Sequence, residues 1–187
     1  MTGYLEIILG PMFSGKTTKL VEIYNRYTKY SIPVCVINHT FDNERYTDET
    51  VMKTHNNVTI PCITTRELTT VWNFIKEQNN NKYDIILINE GQFYDDLVEV
   101  VLDMLSHGKK IYVCGLDGDF KRNKFGCILD LIPYCDSVRK ETSLCNLCKN
   151  DKKPAIFTQR LTNETQQTLI GYDNYIPVCR ECYDLSN

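Results

Sequence analysis

Long apolar runs are missing from this sequence. No stretch approaches the roughly 18 residues of a membrane-crossing helix, and the opening MTGYLEII has neither a charged leader nor an extended apolar core. Neither a membrane span nor a secretory signal is therefore expected. Basic stripes are missing as well. Lys and Arg total 21 against 24 Asp and Glu, a net charge of −3, and the densest cationic patches are the pairs Lys109-Lys110, Lys121-Arg122 and Lys152-Lys153. That argues against nucleic acid as the main partner. The three histidines, His39, His55 and His107, have no metal-like spacing. There is no internal repeat and no long linker. The 187 residues suit one domain plus a small appendage, and 42% hydrophobic content allows a substantial core. The expected setting is cytoplasmic, where disulfides are rare.

The most informative segment is GPMFSGKTT, residues 10–18, placed directly after the apolar run YLEIIL. It fills every fixed position of the pattern G-x-x-x-x-G-K-[ST], with Gly10, Gly15, Lys16 and Thr17. In such a loop, backbone N–H groups converge on an anion at a helix N-terminus. Lys16 would reach the β- and γ-phosphates of a nucleoside triphosphate, and the Thr17 hydroxyl would touch Mg²⁺. A small residue at 15 is expected so that the backbone can approach the phosphates. A glycine turn before an ordinary helix is the plainer reading, but strand, loop and helix stand in the order the motif requires.

Periodicity extends the pattern. Residues 15–29 carry Leu20, Ile23, Tyr24 and Tyr27 at helical spacing, and residues 64–78 carry Leu68, Val71, Trp72 and Ile75. Residues 93–106 read as a third helix through Leu97, Val100, Val101, Met104 and Leu105. Between them lie apolar strands at 32–37, 83–88 and 109–114, and residues 39–58 read as a loop. Continuous apolar strands alternating with helices predict an α/β fold, a parallel sheet with helices on both faces. Ligands of such sheets sit at the carboxyl ends of the strands, so Gly10, Asn89, Glu90 and Leu116 should converge there. After about Glu141 the character changes, and short strand-like pieces at 155–161, 168–170 and 175–178 replace the helices. A boundary is therefore placed there, giving residues 1–141 and 142–187.

Nine cysteines need explaining. Cys35, Cys62, Cys114, Cys127 and Cys135 are scattered. Cys145-x₂-Cys148 and Cys179-x₂-Cys182 form two pairs whose four thiolates can complete a tetrahedral metal site with no vacancy, which points to structural zinc. Two redox dithiols or two disulfides are the other possibilities. The segment between the pairs is too short for much core, so metal would supply its folding energy.

The strand and turn YDIILINEGQF looks like one that delivers a carboxylate to Mg²⁺ and the attacking nucleophile. With GPMFSGKTT, EGQF, GLDGDFKRNKFG, the two C-x-x-C pairs and IGYDNYIPVCRECY, all in order, the chain resembles the type II (cytosolic, including poxviral) thymidine kinase family over essentially its whole length. The resemblance implies a P-loop NTPase fold of RecA-like type with a small C-terminal zinc-binding, β-rich lobe. It implies ATP-dependent phosphorylation of the 5′-hydroxyl of thymidine or deoxyuridine, with ATP, Mg²⁺ and structural Zn²⁺, by a homotetramer. On this resemblance Glu90 is the general base. Gly10, Pro11, Met12, Phe13, Ser14, Gly15, Lys16, Thr17 and Thr18, with Gln92, hold ATP. Met12, Phe93, Leu116, Phe120, Thr158 and Tyr175 surround the nucleoside, and Leu169, Ile170 and Gly171 form a loop whose backbone reads the pyrimidine edge. Thr17 and Asn89 serve magnesium. Asp42 and Arg45 resemble the family's acidic and basic pair.

The chain departs from the family pattern in four places. Asn89 stands where the family usually has Asp, so it keeps an acceptor oxygen but loses a charge. The 42–45 segment is one residue longer than usual, and the 170–179 loop is one shorter. Pro177 offers no N–H. Asn89 motivates an alternative, a catalytically weakened nucleotide-binding or regulatory relative. A P-loop ATPase acting on nucleic acid is disfavoured by the acidic balance.

Overall fold

The computed structural model describes residues 2–43, 51–53, 58–77, 82–148, 153–169 and 171–186, apart from the side chains of residues 42, 43 and 172. The first apolar run forms β1 (Tyr4–Leu9) and leads through the glycine-containing loop into α1 (Lys16–Thr28). Then follow β2 (Val34–His39), the single turn α2 (Thr40–Asn43), the short strands β3 (Val51–Lys53), β4 (Thr59–Pro61) and β5 (Ile63–Thr65), and α3 (Leu68–Glu77). Next come β6 (Ile85–Ile88), α4 (Leu97–Ser106), β7 (Lys110–Gly115) and β8 (Ser137–Lys140). The last part holds β9 (Ser143–Leu144), β10 (Pro154–Ala155), β11 (Phe157–Arg160), β12 (Tyr175–Val178) and α5 (Arg180–Ser186).

Six strands pair in the order β5-β2-β6-β7-β1-β8, all parallel. One row of the register runs Ile37, Ile88, Val113, Ile7, Val138. The inner strands β2, β6, β7 and β1 are buried because both faces are covered. On one face Leu5, Ile7 and Leu9 pack with Trp72 and Ile75 of α3, Val101 and Met104 of α4, and Ile128 and Leu131 of a 3₁₀ segment. On the other, Ile8, Leu87 and Cys114 pack with Leu20, Val21 and Ile23 of α1 and with Met52 and Ile60 of the antiparallel β3–β4 pair. Each such fully buried aliphatic side chain contributes about 1.5–3 kcal/mol.

Several expectations are corrected in detail. Residues 63–65 belong to an edge strand, not to the following helix, because Ile63 to Thr65 pair with Ile37 to His39. Helix α3 then starts at Leu68, where Asp96 supplies the cap. Its carboxylate accepts from the N–H groups of Leu68 (3.2 Å) and Thr69 (2.8 Å) and from the Thr69 hydroxyl (2.8 Å). A cap supplied from a distant part of the chain leaves no local signal. The third helix starts at Leu97 rather than 93, since a 3₁₀ turn, Gly91–Phe93, comes first. Within the span read as loop, β2 extends to His39 and Met52 is wholly buried. Face coverage is helical on one side and mixed on the other, because the β3–β4 pair shares the second face with α1.

The C-terminal part builds two antiparallel ribbons, β9–β10 and β11–β12, around Cys145, Ala155, Val178, Cys179 and Tyr183. It also contains a helix, α5, where only strands were expected, and residues 168–169 are not a strand. Several contacts tie it to the loops at the sheet edge, among them the following. The Met12 N–H donates to Thr158 Oγ1 (3.0 Å), the Tyr183 hydroxyl donates to the Phe120 carbonyl (2.6 Å), and Arg122 pairs with Asp184 (3.0 Å). Among the described residues no helix is long and apolar enough to cross a membrane.

Replacing Asp96 with Ala removes all three acceptor contacts at the start of α3. The expected loss is about 1–2 kcal/mol of unfolding free energy, measured by urea titration. An unchanged midpoint would mean that the cap carries no weight.

Candidate active site

The loop between β1 and α1 wraps a lysine. Lys16 is 9% exposed, and its ammonium donates to the Pro11 carbonyl (2.7 Å) and lies 3.5 Å from Ser14 Oγ. Burial lowers the Lys16 pKa, and the nearby carboxylates of Glu90 and Asp117 only partly oppose this. A buried cation in that state gains from an arriving phosphate anion, which restores what desolvation removed. Phe13 and Gly15 are both left-handed, at φ 63 and 83. At Gly15 the conformation is the constraint, because an added Cβ would meet no protein atom within 4 Å.

Glu90 follows β6 and is also left-handed (φ 54, ψ 42), an uncommon state for a residue of its size. Its position is bolted by Gln92, which is 3% exposed. The Gln92 amide donates to Glu90 Oε2 (2.6 Å), and its oxygen accepts from the Leu116 N–H (3.0 Å). The loop after β6 is thereby tied to the loop after β7. Space around Gln92 is tight. A Cβ at Gly126 (φ 57) would lie 2.0 Å from the Gln92 carbonyl, so that position excludes any other residue.

Lys16, Thr17, Thr18 and Glu90 line one cavity together with Met12, Phe13, Ser14, Gly15, Gln92, Phe93 and Leu116. Met12, Phe93 and Leu116 also line a second cavity, completed by Phe120, Thr158, Leu169 and Tyr175. The two cavities therefore adjoin and share Met12, Phe93 and Leu116 as walls; Glu90 lines the phosphate-like cradle, and the neighbouring slot is aromatic and apolar. The same slot contains Gly118, Asp119, Phe125, Gln167 and Thr168. Sequence reasoning missed these five, since Phe125 reads as ordinary core and the others as loop residues. Gly10 and Pro11 support the cradle without lining it, and Gly171 is not a wall of the slot. Ile170 and Arg45 lie outside the described residues, as does the side chain of Asp42.

Asn89 sits below this cavity rather than in its wall. It is 1% exposed. Its amide donates to Asn38 Oδ1 (2.8 Å), and its oxygen accepts the Cys114 S–H (3.0 Å). The three residues occupy one register step past the apolar row of the sheet, so they form a buried polar row across β2, β6 and β7. The amide has partners for its donor and its acceptor, and the missing carboxylate charge leaves no orphaned group.

The four paired cysteines converge. All four Sγ atoms lie within 4.8 Å of one another, with Cys148 at 3.8 Å from Cys179 and 3.7 Å from Cys182. A tetrahedron of sulfurs at the Zn–S distance has edges of about 3.8 Å. Disulfides are absent; all four are free thiols. Burial opposes ionisation of Cys145, yet N–H groups of Cys179, Cys148 and Leu147 carry its thiol down to about 6. Burial and the neighbouring sulfurs push Cys182 up to about 12. The donor set fits zinc.

A family model for thymidine kinase matches residues 3–183. This chain belongs to the thymidine kinase family. It is 42% identical over 184 residues to a thymidine kinase of Oryza sativa subsp. japonica, covering 97% of this chain and 66% of the rice protein. It is 40% identical to that of Yaba monkey tumor virus, covering 97% of this chain and 95% of the viral one. A third relative, from Choristoneura fumiferana entomopoxvirus, is 40% identical over 98% of this chain and 97% of its own. Among solved structures, the flagellar accessory protein FlaH of Methanocaldococcus jannaschii superposes with a TM-score of 0.50 at 14% identity, over 82% of this chain and 76% of that one. That likeness concerns the fold alone.

Two outcomes follow for this family member. Gln92→Glu sets a second carboxylate at hydrogen-bond distance from Glu90, and like charges so close hold one proton between them. One carboxyl should then titrate at least about one unit above the usual 4.3, read by carbon-13 NMR. A titration without a raised group would mean the side chains do not meet. Metal analysis should give about one zinc per chain, and chelation should melt the β9–β12 ribbons. Ribbon amide signals unchanged in metal-free protein would refute the zinc site.

Proposed function

We propose that the chain transfers the γ-phosphoryl group of ATP to the 5′-hydroxyl of thymidine, and of deoxyuridine, giving the monophosphate. The observation that carries this is that the cavity lined by Lys16, Thr17 and Glu90 adjoins an aromatic slot and shares Met12, Phe93 and Leu116 with it, in a member of the thymidine kinase family. Phosphoryl transfer is chiefly positioning and charge neutralisation. Backbone N–H groups of residues 12–18 and the Lys16 ammonium would cradle the phosphates. Magnesium, bound with ATP, supplies further neutralisation of the phosphate charge, with the Thr17 hydroxyl as its protein ligand. Asn89 would act on it only through water, because its amide is already engaged by Asn38 and Cys114.

Glu90 would take the proton of the sugar hydroxyl. Its strained backbone and its bond to Gln92 hold the carboxylate in one place beside the cradle, as pre-organisation of a base requires. The slot beyond would receive the flat pyrimidine between Phe120, Phe93 and Tyr175, with the backbone near Leu169 at its edge. We also assign residues 1–141 to the nucleotide-binding domain and residues 142–187 to a zinc lobe that closes over the nucleoside. A homotetramer in the cytoplasm is the expected form of this family, and it is part of the proposal.

With ATP and Mg²⁺, thymidine should be phosphorylated at its 5′-position. Glu90→Gln should lower kcat by about 10²–10⁴-fold, with little change in the KM for thymidine. Phosphate transfer at the parental rate by that variant would end the assignment of Glu90 as base.

A further inference from the structure

We propose that Arg160 is the positioning residue of the nucleoside slot: one buried guanidinium shapes residues 161–169 and backs the Phe120 ring. The inference rests on the functional reading above and deepens it, since no motif of the sequence singles out this arginine.

Arg160 ends β11 and faces Tyr175 of β12 across the ladder. It is 7% exposed, and among the described residues no carboxylate lies within ion-pair distance of it. Its charge is met by dipoles instead. Nη1 donates to the carbonyls of Glu164 (2.7 Å) and Gln166 (2.6 Å). Nη2 donates to the Gln167 carbonyl (3.1 Å) and the Tyr175 hydroxyl (2.6 Å). That hydroxyl in turn donates to the Leu169 carbonyl (3.2 Å). Four of the five guanidinium N–H groups are thus engaged, and Nε alone is buried without a partner.

An irregular loop has no ladder to occupy its carbonyls, so something else must hold them in one arrangement. Here the guanidinium and the Tyr175 phenol collect four of them. The guanidinium carbon also lies 3.8 Å from the centroid of the Phe120 ring and 5.1 Å from that of Tyr175. The nearness of the cation to two rings helps to offset the cost of burying it without an ion-pair partner. Phe120, Leu169 and Tyr175 are all walls of the slot, and Arg160 touches each of them directly or through one bond. Arg160 itself is not a wall. It acts on the substrate only through those three residues. A lysine cannot replace it, because an ammonium has three donors and no planar face.

The zinc-loaded full-length protein tests this with Arg160→Gln and Arg160→Lys. Both variants should raise the KM for thymidine about tenfold or more, while the KM for ATP and the zinc content stay within about twofold. Loosening of the loop should speed cleavage after Glu164 by a glutamate-specific protease by about tenfold. A thymidine KM within twofold of the parental value in Arg160→Gln would overturn the proposal. So would recovery of the parental KM in Arg160→Lys, which would assign the effect to charge, or an equal rise in the KM for ATP, which would mark a global defect. Failure of the parental protein to phosphorylate thymidine would remove the functional reading. The loop template would then stand or fall on the protease rates, and equal rates in parent and variant would refute it.

Discussion

The parallel register of β2, β6, β7 and β1 is the constraint on which the rest depends. Ile37, Ile88, Val113 and Ile7 share one row, so the four strands end at one edge together. The cradle after β1, the left-handed Glu90 after β6 and the Leu116 amide after β7 are neighbours for that reason. Apolar burial on both faces holds the row in place, and a one-residue slip in any strand would exchange its buried and facing side chains. The chemistry at the edge therefore inherits its geometry from side chains that never touch it.

Polarity at that edge is arranged in two layers. The lower layer, Asn38, Asn89 and Cys114, is neutral and satisfied within itself. The upper layer holds the buried Lys16 ammonium and the Glu90 carboxylate. Neutral partners below mean that the lysine sees few fixed negative charges, which agrees with burial as the main cause of its lowered pKa. An incoming triphosphate is then the missing counter-charge. A carboxylate at position 89 would compete for that role. The departure from the family pattern at this position thus alters the charge balance of the cradle without leaving an unsatisfied group.

The nucleoside slot depends on the C-terminal part, not on the sheet alone. Thr158 accepts from the Met12 amide, and Tyr183 holds the Phe120 carbonyl, so the cradle and the slot share supports. Four sulfurs at tetrahedral spacing anchor the ribbons from which Thr158 and Tyr175 project. Sulfur cluster, ribbon and loop form one chain of support, in which Arg160 is the last member before the slot.

Much of this was readable in advance. Residues 4–28 announce strand, cradle and helix through apolar burial, glycine placement and helical period, all of which are local. The two C-x-x-C pairs announce a cluster of four thiols that fits a metal, because sulfur spacing is local within each pair. Glu90 could be found as the acidic residue ending a buried strand. The edge strand at 63–65 could not, since three residues carry too little period and owe their conformation to pairing with β2. Nor could the Asp96 cap, the Gln92 bridge or the Arg160 template, each of which joins residues far apart in the chain. By itself the sequence determined the order of the main sheet strands and helices and which groups are candidates for chemistry, because short-range sterics, burial pattern and ligand chemistry act within a few residues. Only the tertiary structure decided that Asn89 faces Asn38 and Cys114 rather than the cavity, and that Gln92 and Arg160 hold the site's shape. Those outcomes depend on which strand ends and loops meet in space, and hydrogen-bond partners drawn from different loops leave no periodic trace in the chain.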